Sequence, residues 1–471
     1  MSRLFGTDGI RGLANEYPMT GDLAMAVGRA VALMLREHPE LCTKSSLPVG
    51  LKPLESRKPV RRPKVVVGKD TRLANYMIET AIVSGLCSMG ADAIIIGPLP
   101  TPGVAFVTQS MRADAGIMIS ASHNPYHDTG IKIFGSDGYK LPDAYEEKLE
   151  KLVQDFDLKG GLPTGDLIGK AYRIEDAIGR YIVYLKTLLP REQDLLGMRI
   201  VVDCANGAAY KVAPLVFEEL GAEVIRKGVE PNGLNINENC GALHPEAVAA
   251  ATAEYRADLG VALDGDGDRC ILSDENGEIV DGDQMIGLCA IQMHREGRLA
   301  GKTVVTTPMS NVGLELTLKD HGIQMLRANV GDRYVVETMR KHGLNLGGEQ
   351  SGHLIFTDHA RTGDGIVAAL KVIEAMRTTG KTLSELKREI RLLPQFRTDV
   401  RVSKKLPLED IPDIRASMDR ARSELENKGR IFVRYSGTEP LARILVEGED
   451  ALAIERIAGD VRTVVQRHLG V

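Results

Sequence analysis

Apolar runs and amphipathic stretches alternate along most of the chain. Lys64–Val67 reads as a buried strand ending in the polar turn GKDTR, and 73–90 has helical spacing. Ala93–Ile96 is a second strand before the turn GPLPTPG, and Gly116–Ile119 runs directly into Ser120–Asn124. Strand, helix and strand in succession predict an α/β sheet, largely parallel. The pattern restarts near 199 (RIVVDCANGAA, then DLGVALDGDGDR) and near 302 (KTVVTTPMSN, LRANVGDRYV, LNLGGEQSGHLIF). Each restart begins with a basic residue and an apolar strand, which suggests three related α/β units. Beyond about 390 the texture changes. RIFVRY (430–435) and LARILVEGED (441–450) predict two antiparallel strands joined by SGTEP, and 450–468 a closing helix. The expected organisation is three α/β domains (1–178, 179–275 and 276–392) and a small α+β domain (393–471).

Composition narrows the class. With 471 residues, 43% hydrophobic, the chain can form several globular cores. A net charge of −5, with both signs dispersed, marks no nucleic-acid or membrane surface. The one basic cluster, 52–64 (KPLESRKPVRRPK), reads as an exposed loop. No apolar run approaches a membrane span, and MSRLFGTDGIRG has no apolar signal core. Six cysteines without a CxxC pair suggest a reduced compartment and no zinc site, hence a cytoplasmic protein.

Two stretches carry the chemistry. DGDGDR (264–269) places Asp264, Asp266 and Asp268 at alternate positions, with glycines that let the backbone fold tightly. Three converging carboxylates repel unless a cation joins them, and oxygen ligands suit Mg²⁺ or Ca²⁺. The alternative is a solvated acidic turn, disfavoured because the loop follows the apolar strand LGVAL. The spacing also matches the start of an EF-hand, but Arg269 occupies the position that needs glycine there. The second stretch is GIMISASHNPYHDTGIKIFG (116–135). Ser122 is a poor nucleophile alone, but His123, Lys132 and a nearby metal loop would activate it. A phosphate on it would need a cation and basic residues to offset its charge; otherwise Ser122 is a turn or cap residue.

Three weaker motifs accompany these. GGEQSGH (347–353) exposes Glu349, Ser351 and His353, a set suited to sugar hydroxyls or merely a turn. RYSGTEP (434–440) offers Arg434, Ser436, Gly437 and Thr438 as an anion nest, or a decorated hairpin turn. FGTDGIRG (5–12) places Arg11 in a glycine-rich turn. There is no Walker A or GxGxxG motif after a strand.

These strings, with PNGLNINENCGALHPE and TGDGI between them, resemble the α-D-phosphohexomutase superfamily nearly end to end. Within it, FGTDGIRG and GEQSGH favour the branch acting on glucosamine phosphates over those acting on mannose or glucose phosphates. Two features depart from the pattern: 39–64 is longer than usual, and Tyr435 stands where small or basic residues are common. The resemblance implies four domains, the first three similar α/β/α units and the last a small α+β domain, around a central cleft, with a phosphorylated Ser122 and one Mg²⁺ bound by Asp264, Asp266, Asp268 and the Ser122 phosphate. It implies Glu349 and Ser351 on sugar hydroxyls, and Arg434, Ser436, Gly437 and Thr438 on the substrate phosphate. Arg11, His123, Lys132, Arg269 and His353 would surround the reacting phosphoryl group. The implied reaction interconverts glucosamine 6-phosphate and glucosamine 1-phosphate through glucosamine 1,6-bisphosphate, which also primes the enzyme, and it feeds UDP-N-acetylglucosamine synthesis and cell-wall precursors. A sibling mutase, a metal-dependent sugar phosphatase and a non-catalytic sugar-phosphate sensor are the alternatives. The expected partner is a small sugar phosphate, with no nucleic acid or membrane and with room for a homodimer.

Overall fold

The computed structural model describes residues 4–6, 8–42, 62–154, 162–426, 428–436 and 440–470. The unusually long part of 39–64 and most of the basic cluster fall at 43–61, outside the described residues, as do Gly437 and Thr438.

The β-branched strand Lys64–Lys69 is buried on both faces, as a central parallel strand must be. It lies between Ala115–Ile119 and Asp92–Pro98, parallel to both. The helices Leu73–Ser88 and Thr101–Ser110 make the crossovers. Asp128–Gly135 then returns antiparallel beside Ala115–Ile119. The second unit repeats this plan: Arg199–Asp203 lies parallel to Glu223–Lys227 and Leu259–Leu263, and Cys270–Asp274 returns antiparallel. So does the third, with Thr303–Thr306, Gln324–Arg327 and Leu346–Gly348 parallel and Leu354–Phe356 antiparallel. The sheets are therefore mixed rather than wholly parallel, but the three expected α/β/α units are present. In all three, the connection leading into the antiparallel return carries a motif: Ser120–Asn124, DGDGDR and EQSGH.

Two predictions need correction. Arg11 lies not in a turn but on the strand Ile10–Leu13, paired with Asp128–Gly135 at the edge of the first sheet. Its glycines masked a strand whose ladder is supplied by a distant partner. The C-terminal sheet has three strands, since Gln395–Arg401 joins Gly429–Tyr435 and Leu441–Gly448. QFRTDVR is a half-exposed edge strand, too polar to stand out by pattern.

The first unit packs helix Gly21–Glu37 on Leu73–Ser88 through a glycine pair. A Cβ on Gly28 would sit 2.4 Å from the Ile82 carbonyl oxygen, and one on Gly85 2.2 Å from that of Met25. A continuous apolar core runs from one face of the first sheet through the second and third units. Helix Gly365–Thr379, buried over most of its length, packs on strands of both the second and third sheets. The C-terminal sheet has its own core under helices Pro412–Leu425 and Ala451–Leu469.

Candidate active site

Ser122 stands at the turn after Ala115–Ile119, with a left-handed φ of 52°. Its N–H donates to Ser120 Oγ (2.8 Å), and Ser120 Oγ donates to buried Asp70 Oδ2 (2.6 Å). Its hydroxyl donates to Asp264 Oδ2 at 2.8 Å, across the seam between the first two units.

The three aspartates of DGDGDR are buried, and their ligand atoms lie within 4.8 Å of one another. Thr101, opening the helix Thr101–Ser110, fixes this loop: its N–H donates to the Asp266 carbonyl (2.8 Å) and its hydroxyl to Asp266 Oδ2 (2.6 Å). Asp266 Oδ1 is buried with no hydrogen-bond partner among the described residues. Burial raises Asp264 well above the carboxylate range, and Asp268 and Asp266 add to that. An orphaned oxygen and a crowded acidic triad fit a divalent cation.

Lys132, on the strand Asp128–Gly135, is buried against these acids, with Nζ 2.8 Å from Asp266 Oδ2, 3.1 Å from Asp8 Oδ2 and 3.5 Å from Asp268 Oδ2. Burial would lower its pKa, but the three carboxylates hold it well above the lysine range. Arg11 pairs with Asp8. Arg269 donates its backbone N–H to Asp264 Oδ1 (3.1 Å). His123 beside Ser122 is pushed down to about 4, by burial and then by the cations Arg269 and Arg11, so it is neutral at pH 7. His353 has Nδ1 3.5 Å from Asp268 Oδ1 and Nε2 3.9 Å from Asp332 Oδ2. Burial lowers it, but those carboxylates dominate and raise it to about 9. The Gly363 N–H, 3.2 Å from Nε2, opposes this because it needs a lone pair there.

Ser122, His123, Arg11, Arg269, Glu349 and His353 share one cavity of about 420 Å³, of a size for a small polar ligand. Glu349 Oε1 accepts the Gly331 N–H at 3.3 Å. Ser351 is exposed on the same loop. Arg434 is not in this cavity. It lines a separate one of about 210 Å³ with Arg397, Asp399 and Arg443 on the C-terminal sheet. Arg434 and Arg443 face each other in register, and Asp399 on the neighbouring strand stands opposite Arg443. Burial, then Arg443, lowers the Arg434 pKa. Ser436 is buried, and its carbonyl accepts from Lys405 Nζ (2.7 Å). Arg397 joins the two regions by donating to Gln350 Oε1 (2.7 Å) in the EQSGH loop.

Sequence reading missed several polar residues here. Lys140 pairs with Asp8 and, at 2.5 Å, with Asp332, linking the first and third units inside the cavity wall. Asp70 and Arg72 lie in GKDTR, read only as a turn, and Asn237 lies in a stretch that no chemistry singled out. The signal for Asp70 and Arg72 was two charged residues directly after a fully apolar strand.

Family comparisons agree with this architecture. Phosphoglucomutase/phosphomannomutase alpha/beta/alpha domains I, II and III match residues 53–159, 180–277 and 281–392, and the C-terminal domain matches 398–464. A phosphoglucosamine mutase from Syntrophotalea carbinolica is 52% identical over 470 residues, 100% of this chain and 98% of that protein. The crystal structure of a phosphoglucomutase/phosphomannomutase family protein from Burkholderia thailandensis aligns over 100% of this chain and 99% of its own, with TM-score 0.78 and 22% identity. The N-acetylphosphoglucosamine mutase of Aspergillus fumigatus, solved in complex with GlcNAc-6P and magnesium, aligns over 98% and 95% with TM-score 0.66 and 18% identity. Matched domain by domain, and at half its positions over its whole length, the chain belongs to the phosphoglucosamine mutase family of the α-D-phosphohexomutase superfamily.

Proposed function

We propose that this chain interconverts glucosamine 6-phosphate and glucosamine 1-phosphate, carrying a phosphoryl group on Ser122 and passing through glucosamine 1,6-bisphosphate. The observation that carries the reading is Ser122 Oγ, 2.8 Å from Asp264 Oδ2, at the edge of an acidic triad and in a cavity whose walls include Arg11, Arg269 and His353. Asp264, Asp266, Asp268 and the Ser122 phosphate would hold one Mg²⁺, whose charge neutralises phosphoryl oxygens when bound.

The chain's own groups account for the rest. The sugar 1-hydroxyl oxygen forms a bond to phosphorus as the bond to Ser122 Oγ breaks, and the hydroxyl proton ends on the released Ser122 Oγ. Arg11, Lys132 and Arg269 offset the charge spread over the transferring oxygens. The bisphosphate turns over, and the Ser122 Oγ attacks the 6-phosphoryl group, releasing glucosamine 1-phosphate. In that return step the P–O6 bond breaks and the serine proton ends on the departing O6; Asp264 Oδ2, to which the hydroxyl donates, orients Ser122 Oγ for the attack. His123 and His353 flank the transfer. Glu349 and Ser351 hold sugar hydroxyls, and Arg434, Ser436, Gly437 and Thr438 hold the distal phosphate. The small cavity beside Arg434 supports that last assignment. The same reading divides the chain near 178, 275 and 392. Six free cysteines suit a cytoplasmic location. Among the described residues no helix is long and apolar enough to cross a membrane. A homodimer is compatible with this reading, and light scattering decides it.

The test is a coupled assay on glucosamine 6-phosphate after pre-incubation with a sugar 1,6-bisphosphate, run beside mannose and glucose phosphates. Preferred turnover of the glucosamine ester, without net phosphate release, is the expected result. Preferred turnover of another sugar, or hydrolysis, overturns it.

A further inference from the structure

The carbonyl side of Ser122 is held as closely as its hydroxyl side, by residues from two units. Arg72 is fully buried. Its Nε donates to Asp70 Oδ2 (2.9 Å), and its Nη2 donates to the carbonyls of Ser122 (2.8 Å) and Asn124 (2.8 Å). Its Nη1 donates to the Asp128 carbonyl (3.1 Å) and to that of Pro125. The whole guanidinium fork is spent on this turn and on Asp70, so Arg72 does not serve as a phosphate ligand. Asn237, from the second unit, donates Nδ2 to the same two carbonyls, at 2.9 Å for Ser122 and 3.1 Å for Asn124. Asn237 is itself anchored by its N–H to the Ala205 carbonyl (2.9 Å). The metal-loop backbone closes the arrangement: a Cβ on Gly265 would lie 2.6 Å from the Ser122 carbonyl oxygen and 2.8 Å from Asn237 Nδ2.

We infer that Arg72 and Asn237 are positioning residues for phosphoryl transfer, clamping the Ser122 peptide from opposite sides of the seam between the first two units. A serine at φ 52° is strained and persists only where its surroundings over-determine it. Two donors on one carbonyl do this, and they fix the direction in which Oγ leaves the backbone. Asn237 contributes something Arg72 does not. It ties the serine turn to the unit that carries the acidic triad, so that Oγ and Asp264 keep their separation when the two units shift. Releasing the Asn237 side lets the turn follow the first unit alone, and the reacting oxygen loses its alignment with the phosphorus it must attack.

This inference rests on Ser122 being the phosphoryl carrier. Arg72→Ala would leave Asp70 buried without its cation and endanger folding, so Asn237 carries the test. Asn237 sits at φ 60°, which glycine and aspartate tolerate, so N237G and N237D both remove the donor without backbone penalty. The full chain with Mg²⁺ is given glucose 1,6-bisphosphate, and the rate of phosphate appearance on Ser122 is followed by intact mass. Steady-state kcat and KM on glucosamine 6-phosphate and a thermal melt accompany it. Both variants should lose on the order of 10- to 100-fold in the transfer rate and in kcat with KM at the wild-type value; N237G should melt within a few degrees of the wild type, whereas N237D, which turns a buried carboxylate oxygen toward the two carbonyls, should melt lower. Wild-type transfer rates in both variants, or a loss confined to Tm, overturn the inference. Failure of the wild-type protein to take up phosphate on Ser122 instead removes the function proposed above, and the inference falls with it.

Discussion

Replacing Lys132 with methionine separates the charge of that side chain from its bulk. The ammonium is buried against Asp266, Asp8 and Asp268 at 2.8, 3.1 and 3.5 Å. Methionine fills most of the volume but leaves these acids without their shared cation. Removing one partner of a buried ion pair costs about 3–5 kcal/mol. In EDTA the variant should therefore melt on the order of 5–15 °C lower. Mg²⁺ should restore it. Unit charges about 4 Å apart interact by roughly 4 kcal/mol at an effective dielectric of about 20, so the ammonium competes with any cation for Asp266 and Asp268. Its loss should tighten Mg²⁺ binding by on the order of tenfold or more, and the Mg²⁺-induced rise in Tm should exceed that of the wild type. Turnover should nevertheless fall, because a cation near the transferring oxygens is gone. The pH dependence has a defined sign. Asp264 already has its folded pKa raised, by burial and then by its acidic neighbours, so its contribution to stability is lost as pH rises through that value. Against burial, Lys132 helps hold Asp8 and Asp268 below the usual carboxylate range; without it both rise, so the deficit in EDTA should be smaller at about pH 5 than at about pH 8. Differential scanning fluorimetry across Mg²⁺ and pH measures all of this. An unchanged melt in EDTA, or a Mg²⁺ response no larger than that of wild type, would refute the electrostatic account.

Ser122→Ala should abolish turnover with the melt unchanged, and intact-mass analysis should show a phosphate on the wild type that maps to 116–132; full activity in the alanine variant contradicts the assignment. Asp266→Asn should weaken Mg²⁺ binding and lower kcat by orders of magnitude, since it removes one carboxylate and the Lys132 ion pair together, and EDTA should silence the wild type until Mg²⁺ is returned. Arg434→Ala should raise KM, with some loss of kcat, because charge-assisted contacts to a phosphate are worth roughly 1.5–3 kcal/mol. Mg²⁺ affinity should survive in that variant, since Arg434 lines a different cavity from Ser122, and a collapse of metal affinity at unchanged KM would count against the phosphate role.

The α/β units were legible because their central strands are apolar runs that recur between polar turns. Lys64–Lys69, Arg199–Asp203 and Thr303–Thr306 declare themselves by composition alone. The strand Ile10–Leu13 did not, because IRGL has neither alternation nor length and exists through its pairing with Asp128–Gly135. Ser122 and the acidic triad stood out because their residue types are costly to bury without a reason. Asn237 lies in a turn, Lys140 lies just beyond the strand Asp128–Gly135, and Asp332 opens the helix Asp332–His342; none of them stands out by residue type. Their importance comes from meeting partners more than a hundred positions away, which local pattern does not encode.

The three motif loops occupy one topological address, the connection into the antiparallel return strand, in three successive copies of one plan. A chain that copies a sheet with one editable connection obtains several differently equipped walls for a single pocket without inventing a new scaffold. Each wall is then free to diverge over a handful of residues while the sheet behind it stays under packing constraint. For redesign, the five residues Glu349–His353 are short enough to exchange but are not independent of their neighbours: His353 lies 3.5 Å from Asp268, and the Gly352 carbonyl accepts the Cys270 N–H at 3.0 Å, so an exchange that leaves the acidic triad in place has to keep Gly352 and His353.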